Sequence, residues 1–106
     1  MKEIKLIRET VKSVSKELGI PVVDVILFGS RARGDARLDS DWDILIVTAK
    51  KLDWKERLEL TGEIRKRLAK AGMASDILVI SREDLSRLKD SKEYIYYYAL
   101  REGIKV

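Results

Sequence analysis

The first apolar stripe of the chain predicts a helix. Ile4, Ile7, Val11, Val14 and Leu18 recur at steps of three and four through residues 2–18, with Lys, Arg, Glu and Ser between them. Gly19 fits just past the end, and Pro21 blocks continuation. The period then changes. Val22 to Phe28 is an apolar, β-branched run broken only by Asp24, which predicts a strand buried on both faces. Gly29-Ser30 ends it. A short helical turn is expected over 31–33 before Gly34, and residues 34–41 are polar and turn-like. Ile44 to Val47 predicts a second strand.

Residues 53–71 read as a second long helix. Asp53 is placed to cap it, with Glu56 three residues on as in a capping box. Trp54, Leu58, Thr61, Ile64, Leu68 and Ala71 are expected on its buried face, and Gly72 to close it. A third strand is expected from about Ala74 to Ile80. Ser81 is placed to cap a helix from Arg82. A last helix over about 91–102 would carry four tyrosines and end at Gly103. The tyrosines are expected to pack against the sheet or a partner rather than stack on bases. This order predicts an α/β sandwich, with about four helices on a small mixed sheet of about three strands or more. Residues 1–106 read as one domain, without repeat, linker or low-complexity stretch.

Composition narrows the chemistry. Charged residues make up 38% of the chain, yet 22 basic and 18 acidic side chains leave a net charge of only +4. That favours a surface of mixed sign over a dedicated polyanion stripe. There is no cysteine and no histidine. Disulfides and thiolate metal sites are excluded, and so are the usual general base and zinc ligand. Any metal must be a hard cation held by oxygen. No long apolar run or leader pattern is present, so a soluble, cytoplasmic protein without a membrane span is expected. Asparagine and glutamine are also absent beside abundant Lys, Arg and Glu, a thermophile-like composition.

The informative segment is 28–47. Asp41 and Asp43 stand two apart at the start of a strand, so their carboxylates share a face. Side by side they repel, unless a cation lies between them. Alone, an Asp-x-Asp is more often a polar turn. Gly29-Ser30, ending one strand and opening a helical turn, is a candidate anion site, with a hydroxyl to donate a further bond. It is not a P-loop, since the Gly-Lys-Ser/Thr ending is missing. Arg31, Arg33 and Arg37 lie near enough to screen phosphate, or equally to pair with Asp35 or Asp39. Asp76 opens the third strand and supplies a candidate third carboxylate. Asp24 competes with it but should lie at the far end of its strand.

Together, Gly29-Ser30 and Asp41-x-Asp43 resemble the signature of the DNA polymerase β-like nucleotidyltransferase superfamily. Gly-Ser-Arg-Ala-Arg-Gly followed by Asp-Ser-Asp-Trp-Asp is similar to its minimal nucleotidyltransferase (MNT) branch, and the closing segment from Tyr98 to Val106 supports the likeness. The resemblance implies the polymerase-β-like fold and implies roles. Asp41, Asp43 and Asp76 would be catalytic and bind metal, two Mg²⁺ ions with Mn²⁺ as the alternative. Gly29, Ser30 and Arg33 would bind the nucleoside triphosphate, ATP. Trp42, between the two acids, should pack on the opposite face.

The same likeness implies a HEPN-domain protein as partner in a toxin–antitoxin pair, with AMP transferred from ATP to a tyrosine of that toxin. Nucleic acid is not the expected acceptor. Two other readings stay open. A binding antitoxin would neutralise its partner by complex formation alone. A small-molecule nucleotidyltransferase would use a homodimer to complete its pocket.

Overall fold

A computed structural model describes all residues from Met1 to Val106. Helix α1 (Lys2–Leu18) leads into strand β1 (Val22–Phe28), and a single helical turn, α2 (Ser30–Arg33), follows. Strand β2 (Trp42–Thr48), helix α3 (Trp54–Lys70) and strand β3 (Ser75–Ser81) form the middle of the chain. Helices α4 (Arg82–Leu88) and α5 (Ile95–Glu102) and a two-residue strand β4 (Ile104–Lys105) complete it. The sheet runs β3-β2-β1-β4. β1 is antiparallel to both β2 and β4, whereas β2 and β3 are parallel, joined across α3.

The two faces of the sheet are covered unequally. Strand side chains alternate between faces. Trp42, Ile44 and Ile46 of β2, Leu27 of β1, and Ile77 and Val79 of β3 face α1 and α3, in a cluster of 15 buried residues. Leu45 and Val47, Ile26 and Phe28, and Ile80 face α5, in a cluster of six that is closed by Ala99. Burial on both sides explains why β1 and β2 read as nearly unbroken apolar runs. Trp42 packs on the face away from the acids, as expected, and Arg31 stacks over its ring at 4.5 Å.

Most elements fall where the pattern places them. Gly19 closes α1. The capping box of α3 is formed: the Glu56 N–H donates to Asp53 Oδ1 at 2.8 Å, and Glu56 Oε1 accepts from the Asp53 N–H at 3.2 Å. Ser81 caps α4 by accepting from the Asp84 N–H.

Two expectations need correction. The buried stripe of α3 is Leu60, Ile64 and Leu68, while Trp54 and Leu58 are 78% and 63% exposed. Leu58 precedes Ile64 by six residues, which turns it about 120° around the helix. The last helix starts at Ile95 rather than near 91, so Tyr94 is its N-cap and three tyrosines lie within it. Ile104–Lys105 adds a fourth strand to the sheet, within the expected three or more, held by pairing to Leu27 and Ile26. No helix is long and apolar enough to cross a membrane.

Candidate active site

The parallel register of β2 and β3 sets the site. The Trp42 N–H donates to the Ala74 carbonyl at 2.9 Å, and from there the strands align Asp43 directly with Asp76. Both residues, with Asp41 just before β2, share the parity of Leu45 and Val47. They therefore lie on the α5 side of the sheet, at its β2–β3 entrance. On the other flank Phe28 of β1 is paired with Asp43, so Gly29 comes next to that same carboxylate.

Gly29 shows why glycine is needed there. Its φ of 73° and ψ of −158° belong to a region that only glycine occupies without strain. A Cβ at this position would also run into the Asp43 carboxylate. The chain then turns into α2. Its internal bonds begin with the Ala32 and Arg33 N–H groups donating to the Gly29 carbonyl, both at 3.0 Å. The earlier N–H groups of such a turn have no intrahelical partner, and no side chain caps them. They lie beside Asp43, where an anion can approach bare backbone.

Electrostatics mark Asp43. Partial burial pushes its carboxyl above the ordinary range, and the charges of Asp76 and Asp41 push it further. Arg33 works against this shift, while Glu102 adds to it. Such mutual repulsion is what a bound cation relieves. The donors are all hard carboxylate oxygens, which suits Mg²⁺ or Mn²⁺ and not a soft metal. As the side chains stand, the three carboxylates are not drawn into a closed ligand cluster.

The three arginines have different roles. Arg31 donates to the Ser40 carbonyl at 2.8 Å and the Leu38 carbonyl at 3.3 Å, so it pins the loop between α2 and β2. Arg33 pairs with Asp35 at 3.3 Å and with Glu102 at 3.1 Å. Arg37 uses its backbone, donating its N–H to Ser40 Oγ. Asp24 lies at the far end of β1, opposite Val47, and meets Lys105 at 3.6 Å. It is no part of the site. Glu102 was not legible as a site residue. The Glu-Gly pair after the last helix was the only available sign, and it reads first as a helix ending.

The arrangement is a backbone anion cradle facing a carboxylate pair on the next strand, with a third carboxylate in register beside it. Residues 9–106 match the family described as Polymerase beta, Nucleotidyltransferase, and the chain belongs to that family. It is 31% identical over 100 residues to spectinomycin 9-adenylyltransferase of Staphylococcus aureus, covering 88% of this chain but only 38% of that protein. A second relative is MJ0141 of Methanocaldococcus jannaschii, whose name as a protein adenylyltransferase is provisional. It is 37% identical over 79 residues, 74% of this chain and 76% of its own length. Among solved structures, a chain of the complex of tri-AMPylated Shewanella oneidensis HEPN toxin with MNT antitoxin shares the fold, with a TM-score of 0.58 and 19% identity. That match covers 95% of this chain and 69% of the other.

Proposed function

We propose that this chain is a metal-dependent adenylyltransferase that moves AMP from ATP onto a tyrosine hydroxyl of a HEPN-domain partner, as an antitoxin. The observation that carries this reading is the register of Asp43 with Asp76 beside the bare backbone of Gly29. Gly29 and Ser30 hold the triphosphate through backbone N–H groups and the Ser30 hydroxyl. Asp41, Asp43 and Asp76 would hold two divalent ions. When bound, the ions neutralise phosphate charge and make the acceptor hydroxyl more acidic. The acceptor oxygen bonds to the α-phosphorus, the bond to the bridging oxygen breaks, and pyrophosphate leaves. With no histidine in the chain, Asp76 would take the hydroxyl proton. Positioning and charge do the rest.

The site supports a macromolecular acceptor. The three acids stand on an open rim, and the larger surface hollows lie elsewhere, one of about 490 Å³ beside Trp54, Leu58 and Tyr96. The walls that hold the acceptor come from outside these residues, and a HEPN-domain partner is the proposed source. The likeness to spectinomycin 9-adenylyltransferase favours a small-molecule acceptor instead, but the chain spans 38% of that protein.

Co-expression with a HEPN partner separates these readings. Intact mass of the partner, with and without ATP and Mg²⁺, should show the added mass of AMP on a tyrosine. Unchanged transfer by the Asp41→Ala/Asp43→Ala variant would overturn the mechanism. Rescue from the toxin by that variant, at equal expression, would favour binding alone.

A further inference from the structure

The end of the chain reaches the site through one side chain. Glu102 is the last residue of α5, and Gly103 joins it to β4. A Cβ at Gly103 would collide with the Ala99 carbonyl and the Ile26 side chain, and would stand 3.2 Å from the Leu27 carbonyl. Ile104 then pairs with Leu27, two residues before Gly29. The α5–β4 junction is thus pressed onto β1, and Glu102 is carried to the level of the anion cradle.

There it meets Arg33. Both carboxylate oxygens of Glu102 accept from Arg33 Nη1, at 3.1 and 3.3 Å. Asp35 Oδ2 accepts from Arg33 Nε at 3.3 Å. Two carboxylates therefore hold two of the three guanidinium nitrogens, and Nη2 donates to nothing in the protein. The side chains are 46% and 30% exposed, too open for the pair to matter much to stability. Its effect is orientation. A guanidinium fork fixed on two sides presents its third as a ready phosphate donor. Arg33 and Glu102 both also act on the charge of Asp43, so the fork lies within range of the acids.

We propose that Glu102 is a positioning residue, which holds Arg33 so that its free Nη2 edge binds the phosphate chain of the incoming nucleotide. This rests on the adenylyltransferase reading of the site.

The test is binding of a non-hydrolysable ATP analogue with Mg²⁺, followed by titration calorimetry. Glu102→Gln should weaken it about three- to tenfold, the scale of coupling between residues in contact. Binding of AMP should change far less, a contrast that general loosening of the fold would not give. Arg33→Ala changes no residue of the α5–β4 junction and should give the same selective loss. In that background, Glu102→Gln should add nothing. Unchanged or tighter binding by Glu102→Gln would overturn the proposal, as would an equal loss with and without Arg33. If the wild-type chain binds no Mg²⁺–triphosphate, the nucleotide reading falls and this one with it. If the wild type binds and Glu102→Gln matches it, this one falls alone.

Discussion

The middle of β2 and its entrance sit a few residues apart and do opposite things to the fold. Ile44, Leu45, Ile46 and Val47 are all but fully buried, packed between helices on both faces. Each removes apolar surface from water and stabilises the native state. Asp41 and Asp43 stand where the same strand meets solvent, near a third acid in register. Their repulsion costs stability, and burial adds to that cost at Asp43. A strand that is dry in the middle and charged at the end combines a rigid support with a reactive edge. The edge is tolerable because the middle is over-provided.

The contrast predicts substitutions of opposite sign. The largest effect belongs to the edge. Asp41→Ala with Asp43→Ala should lower nucleotidyl transfer by about 10³-fold, about 4 kcal/mol of barrier, while the fold survives. Product formation per folded molecule measures the first, and circular dichroism the second. A variant that lost fold and activity together would erase the distinction between edge and middle.

Ile64→Ala tests the other side. Ile64 is fully buried beneath the sheet. Its truncation should cost about 2–5 kcal/mol in denaturant unfolding, with activity per folded molecule kept.

Gly29→Ala falls at the boundary. The new methyl group meets the Asp43 carboxylate, and the backbone is strained for any residue but glycine. A loss of about 1–3 kcal/mol is expected, together with loss of transfer. Activity retained at full strength would mean that the close approach of backbone and acid is unimportant.

The smallest effect has the reverse sign. On stability, Asp43→Asn should raise the melting temperature of the metal-free protein at neutral pH, by less than any of the losses above. Asp43 holds its proton to higher pH in the folded chain than in the unfolded one. Its share of stability is therefore present at low pH and lost as pH rises from about 3.8 through its raised folded value. The advantage of Asn should accordingly shrink as pH falls toward 3.8. Melts of both proteins across that range check this.

Much of the fold was legible because periodicity reports burial. β1, β2 and β3 are buried on both faces, and their apolar runs announce them. The α1 stripe and the capping box of α3 are local signals and were legible too. What stayed hidden depends on distant partners. β4 is two residues long and exists only through Ile26 and Leu27. Trp54 and Leu58 are apolar, and only packing shows that α3 turns them outward. The site followed the same rule. Asp41, Asp43 and Gly29-Ser30 lie within one segment, where spacing carries meaning. Asp76 needed a strand register, and Glu102 needed the sheet to bring the chain's end back to Arg33.

The most direct test is a titration of the wild-type chain with a non-hydrolysable ATP analogue, in Mg²⁺ and then in chelator, beside the Asp41→Ala/Asp43→Ala variant. The account predicts saturable binding by the wild type that needs the divalent ion, and that is lost or severely weakened in the variant. Binding that is indifferent to both the ion and the two acids would contradict it.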